Sequence, residues 1–143
     1  MWIYDTIHKN WTQGPSLNVT RSFHACMVDQ KTSTIYVMGG RDHDYDHDND
    51  LSSTEKLKFN DVNGKWEMAS NLKETLSISA AVSSSSNEFV GYLVGGYTNS
   101  GMKNKIWGLR RSDQQWIDTS KRLKIARYAH TVVNAYDNQI PNC

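Results

Sequence analysis

An apolar run closing on two glycines appears twice in this chain, as Ile35-Tyr36-Val37-Met38-Gly39-Gly40 and, 56 residues later, as Val90-Gly91-Tyr92-Leu93-Val94-Gly95-Gly96. One example alone would describe any buried strand running into a turn that needs backbone freedom. Recurrence says more. The chain is built from repeated units, each of which buries its apolar face only against a neighbour.

Other residues keep the same frame. Trp11, Trp66 and Trp116 are separated by 55 and 50 residues, and each follows by nine a member of the series Trp2, Leu57, Trp107. Tyr4, Phe59 and Leu109 come two residues after that series, and Leu17, Leu72 and Leu123 come six or seven after the tryptophans. Arg21-Ser22-Phe23-His24, Leu76-Ser77-Ile78-Ser79 and Arg127-Tyr128-Ala129-His130 then open successive units. The units read as 1–19, the outer strands of a preceding one; 20–74 and 75–125, both complete; and 126–143, the start of a further one. Short β-strands are expected at 2–5, 10–12, 21–28, 34–39, 54–59, 65–68, 77–83, 89–95, 105–110, 115–118 and 127–135.

This pattern of glycine pair, phased tryptophan and Arg-x-x-His opening resembles the kelch repeat, whose period is near 50 residues. The resemblance covers nearly all of the chain and departs from it at Leu76, where the arginine is missing, and in the last unit, which has no glycine pair. It implies an all-β fold of four-stranded kelch-type β-propeller blades, two complete and the others partial. The glycine pair would let the chain leave the second strand of each blade, and each tryptophan would fill the wedge between blades. A strand expected after Asn138 is interrupted by Pro141, which cannot donate to a ladder. The reading is therefore of an incomplete propeller that needs its remaining blades or self-association.

Charge and cysteine content exclude several classes. With 16 basic and 15 acidic residues the net charge is +1, so no electrostatic footprint for nucleic acid or anionic membrane is present. No run approaches the ~18 apolar residues of a membrane span, and because Met1 leads directly into an expected strand no leader is expected. A cytoplasmic location is expected. The two cysteines, Cys26 and Cys143, define no disulfide framework, and Cys26 reads as a small buried hydrophobe.

The first unit carries a longer loop, Arg41-Asp42-His43-Asp44-Tyr45-Asp46-His47-Asp48-Asn49-Asp50. Read from Asp44, it offers oxygen ligands in the order of an EF-hand calcium loop: Asp44, Asp46, Asp48, Asp50, Ser52 and Glu55, with Asn49 where glycine usually stands. A solvated, variable loop tip is the competing reading and the favoured one. No cofactor is otherwise implied.

His24 and His130 each follow an arginine by three residues, but no nucleophile is placed beside either, and both read as structural. What the family resemblance implies is a non-enzymatic protein-protein interaction module, part of a substrate adaptor or scaffold. Its contacts would come from Arg21, Ser22, Arg127 and Tyr128 at the inner-strand starts and from Arg41, Asp42, Tyr97, Thr98 and Asn99 after the glycine pairs. Arg21 and Arg127 have an equally weighted structural alternative, pairing with neighbouring blades. The alternative function is an enzyme fragment of sugar-epimerase or galactose-oxidase type, and fold alone does not choose between these.

Overall fold

The computed structural model describes residues 1–44, 47–61 and 64–135. Among them the fold is all-β. The strands are β1 Trp2–Asp5, β2 Asn10–Gln13, β3 Ala25–Asp29, β4 Thr34–Met38, β5 Arg41–Asp44, β6 His47–Asp50, β7 Thr54–Lys58, β8 Glu67–Met68, β9 Ala80–Ser83, β10 Phe89–Thr98, β11 Gly101–Arg110 and β12 Trp116–Arg122. They form two four-stranded antiparallel sheets, sheet I in the order β3-β4-β7-β8 and sheet II in the order β9-β10-β11-β12, with two hairpins, β1–β2 and β5–β6. None closes into a barrel, and among the described residues no helix is long and apolar enough to cross a membrane.

The apolar runs behave as their composition requires. β4 is covered on both faces, so its run needs no polar alternation. Tyr36 and Met38 face sheet II, where they join Ala25, Met27, Leu72 and Leu76 around Val90, Leu93, Trp107, Leu109 and Trp116. Val37 turns the other way and packs with Leu57 and Trp66 beneath Leu17 and Ile35. Trp116 is fully buried, and its indole N–H donates to Thr54 Oγ1 of sheet I at 3.2 Å.

Sheet II is stitched to sheet I through main chain at phased positions. Phe23, Ile78 and Ala129 all hold left-handed backbone, with φ of 53°, 52° and 51°. The Ile78 N–H donates to the Phe23 carbonyl at 2.9 Å, and the Ala129 N–H donates to the Ile78 carbonyl at 3.1 Å. A β-branched residue in this conformation is strained by roughly 1–3 kcal/mol, so its neighbours must enforce it. The glycine pairs form the second stitch: the Gly40 N–H donates to Leu76 O and the Gly96 N–H to Arg127 O, both at 2.9 Å.

The structure corrects the sequence reading in several places. Leu93 pairs with Trp107 and Gly91 with Leu109, whereas Val37 pairs with Glu55 and Ile35 with Leu57. The counterpart of Leu57 is therefore Leu109, and that of Glu55 is Trp107. The aligned series was two residues out because the β7–β8 turn is longer than the β11–β12 turn, and a slip of two leaves every side chain on its expected face. Residues 127–135 carry the phased left-handed residue but form no strand. Cys26 is exposed, on the outward side of β3, where burial alternates residue by residue. Trp11 is 65% exposed, because β1 and β2 pair only with each other. Asp46, Cys143 and the interruption at Pro141 lie outside the described residues.

Gly39 has φ +61°, and a Cβ there would sit 2.2 Å from the Leu76 carbonyl oxygen, whereas Gly101, at φ +103°, has nothing within 4 Å. Gly101→Ala is expected to cost about 1–2 kcal/mol, the backbone term alone. Gly39→Ala should cost at least about 3 kcal/mol, because it also separates the two sheets. Urea denaturation of the two variants checks this ordering.

Candidate functional site

The glycine pairs bring both sheets to a common end, and the residues just beyond them form a line across it. Arg41 is held by its main chain, exchanging N–H and C=O bonds of 2.8 Å with Ser22; Tyr97 is held in the same way by Ser77, at 2.8 and 2.9 Å. With the backbone fixed, the side chains meet. Arg41 Nε donates to Asp50 Oδ1 at 2.8 Å, and its guanidinium carbon lies 6.0 Å from the Tyr97 ring centroid. Tyr97 in turn meets Tyr128 edge-on, 5.6 Å between centroids. The line Asp50–Arg41–Tyr97–Tyr128 thus runs from the β5–β6 hairpin past β10 of sheet II to the segment that follows sheet II.

Most of the other expected contact residues border this line. Asp42 accepts from the Thr20 hydroxyl at 2.5 Å. Thr98 is buried, and its Oγ1 receives the Ser100 N–H at 3.1 Å, shaping the β10–β11 turn that exposes Asn99. Arg127 is exposed and Tyr128 is 46% exposed. A polar cleft of ≈ 470 Å³ lies at the opposite end of sheet I, lined by Thr34, Tyr36, Lys56, Lys58 and Lys65 among others.

Arg21 does not belong to this surface. Its side chain and that of Glu55 are both fully buried, joined at 2.7 Å. The guanidinium also donates to the carbonyls of Gly39 (2.8 Å) and Ser53 (3.1 Å) and to Ser53 Oγ (3.1 Å). Glu55 accepts the Asn18 N–H on Oε2 at 2.7 Å and the Val19 N–H on Oε1 at 3.2 Å. Arg21 fastens its own sheet to the incoming chain, and leaves the list of candidate partner contacts. Burial pushes the Glu55 carboxyl up, but the Asn18 amide, the Arg21 guanidinium and the Val19 amide together hold it below the ordinary glutamate range.

The same pair removes Glu55 from the calcium-loop reading, since a ligand at the loop's last position must face the cation. The segment forms the β5–β6 hairpin, with Arg41 opposite Asp50 and Asp44 opposite His47, and Asp50 faces Arg41. Among the described residues, no group of three or more His, Cys, Asp or Glu side chains is placed to hold a metal ion. The position of Asp46 lies outside those residues.

His130 is half-buried against Gly95, and both ring nitrogens are shut from solvent without a hydrogen-bond partner among the described residues. Burial, reinforced by the Arg127 charge, lowers its pKa by more than the Tyr128 backbone raises it, and favours the neutral ring. Asp29 ties the sheets together at their other end through Arg111, 2.7 Å away. Burial raises its pKa, while Arg111, Thr32 and the Lys31 amide lower it further than burial raises it.

Compared with known proteins, the chain matches no family model and no curated protein. Of the expected contact residues, the structure brings Arg41, Tyr97 and Tyr128 together. Sequence reading missed Asp50 as the group that orients Arg41 and Glu55 as the partner of Arg21. The only sequence signal for the latter was a carboxylate in an otherwise apolar strand position.

Removing one member of the buried pair, by Arg21→Met or Glu55→Leu, is expected to cost about 3–5 kcal/mol, and the double variant far less than the sum. A double-mutant cycle in urea measures this. Glu55 and Asp29 are depressed on folding, so their stabilisation is full above the unfolded carboxylate range and disappears as pH falls through their lower folded values. His130 is also depressed, so its contribution is full above its unfolded pKa of about 6.5 and is lost on acidification below that. Melting temperature should therefore slope gently downward from about pH 6.5 and steeply below about pH 4. Burial lowers the His24 pKa as well, so His130→Phe should reduce the first slope without abolishing it and leave the second unchanged.

Proposed function

We propose that this chain is a run of kelch-type β-propeller blades working as a non-enzymatic protein-protein interaction module, of the kind used in adaptors and scaffolds. Sheets I and II are then successive blades, and the β1–β2 hairpin is the outer half of the blade before them. The observation that carries the reading is the phased alignment at the glycine-pair end. Equivalent backbone positions hold Arg41 and Tyr97, and with Tyr128 from the following unit they make a continuous cationic and aromatic line. Arginine and tyrosine are the residue types that anchor interfaces, and here their backbones are already ordered, which lowers the entropy cost of binding. Asn99 and Arg127 supply the polar rim.

A photo-crosslinking residue at Asn99 should capture proteins from a cell extract that the same residue at Lys58, on the opposite cleft, does not. Arg41→Ala and Tyr97→Ala should each weaken binding of the captured protein by roughly tenfold or more, as hot-spot truncations do. Equal capture from both positions, with no effect of either substitution, would place binding elsewhere.

A further inference from the structure

The β1–β2 hairpin presents on its surface residues that are core in both sheets. Its register sets Tyr4 opposite Trp11, as Leu109 stands opposite Trp116 in sheet II. Tyr4 and Trp11 are thus the counterparts of Leu109 and Trp116, and Trp2 is the counterpart of Trp107. In sheet II these positions are 5% (Trp107), 1% (Leu109) and 0% (Trp116) exposed; in the hairpin they are 66% (Trp2), 45% (Tyr4) and 65% (Trp11) exposed. Tyr4 and Trp11 already pack against each other, 5.0 Å between centroids with the rings tilted by 45°, as a preformed aromatic surface.

The chain itself shows what covers such a face. Trp116 and Leu109 rest on the side of sheet I that carries Tyr36, Met38 and Thr54, with Met38 paired to Thr54 across the β4–β7 ladder. The corresponding side of sheet II carries Tyr92, Val94 and Ile106, with Val94 paired to Ile106 across β10–β11. Tyr92 packs with Phe89 at 5.2 Å, and the Phe89 ring lies where a Cβ on Gly108 would point. Tyr92 and Ile106 are only half-buried, and neither belongs to the core clusters, while Val94 beside them is already buried at 6% exposure.

We propose that the Trp2–Tyr4–Trp11 face of one molecule docks on the half-buried Tyr92 and Ile106 side chains of a second copy of this chain. The contact repeats between molecules the packing that sheet II makes on sheet I within one. Trp11 takes the place of Trp116, and Ile106 receives it where Thr54 does inside the chain. The two patches differ, so the association is head-to-tail. It involves a different surface from the Arg41–Tyr97–Tyr128 line and does not depend on it.

Sedimentation velocity on the full chain, with reductant present to keep the exposed Cys26 from cross-linking, should show concentration-dependent oligomers. Trp11→Asp should weaken association about thirtyfold or more, the loss of a central tryptophan anchor, with its thermal melt at low concentration unchanged. Ile106→Lys should do the same from the other side; should its melt show that it does not fold, Tyr92→Lys replaces it. Mixing the two folded variants must then restore a 1:1 complex, because each retains one intact patch. A wild type that stays monomeric at all concentrations, oligomers indifferent to Trp11→Asp, or folded variants that fail to complement each other would each overturn the proposal.

Discussion

The stacking of one sheet on the next rests on backbone, and the rest of the molecule follows from it. The N–H of a left-handed residue, Ile78, reaches the carbonyl of its counterpart Phe23, and Ala129 repeats the step onto Ile78. A second bond ties each glycine pair to the segment opening the next unit. Side chains do not set these bonds, and Phe, Ile and Ala hold the same left-handed backbone at the latch. Glycine is required beside it because the carbonyl of Leu76 lies where a Cβ on Gly39 would be. With the stitches fixed, Trp116 meets sheet I in one arrangement, and apolar burial rewards an alignment that hydrogen bonds have already chosen.

The position just before each latch is solved by two chemistries. In sheet I, Arg21 and Glu55 form a fully buried ion pair; in sheet II the counterparts are Leu76 and Trp107, both in the apolar core. Two charges taken out of water are repaid only when their remaining donors and acceptors are satisfied, and those of Glu55 are, by the Asn18 and Val19 amides. The sheet II pair carries no charge, and the Trp107 indole N–H donates to Glu74 Oε1 at 3.2 Å. Both positions link their sheet to the incoming segment, Glu55 through the Asn18 and Val19 amides and Trp107 through Glu74, where Leu72 and Leu76 also pack. The missing arginine at Leu76 is therefore an exchange of both partners together.

The parts of the fold legible in sequence were those that backbone chemistry enforces. Each of the eight strands of the two sheets overlaps its expected range and Gly39–Gly40 follow β4, whereas Gly95–Gly96 lie inside β10, which runs on to Thr98. What escaped depended on length or on cover. The two-residue slip at Trp107 was invisible because strand alternation has period two. The β5–β6 segment read as a possible calcium loop because its acidic residues alternate, and alternation is equally the pattern of a hairpin whose Arg41 answers Asp50. Cys26 and Trp11 were expected inside because their counterparts are apolar, but burial belongs to whatever packs over a face and not to the residue that occupies it. Residues 127–135 have the opening motif of a unit without a strand to pair with, and propensity alone does not make a strand.

The same division between backbone and side chain separates stability from recognition at the candidate site. Arg41 and Tyr97 occupy one structural position, each held by both of its main-chain hydrogen bonds to a serine of the neighbouring strand start. Neither side chain is needed to hold that backbone, so the chemistry displayed there is free to differ from unit to unit while the frame stays constant. It does differ, a cation in one unit and an aromatic ring in the next, and the spacing of the frame brings the two within 6.0 Å. Tyr128 extends the line because the Gly96–Arg127 stitch places its segment over the end of sheet II. A surface ordered by its backbone and varied in its side chains loses little entropy on binding and gains its specificity residue by residue, which is the physical basis for reading this end of the molecule as its contact face.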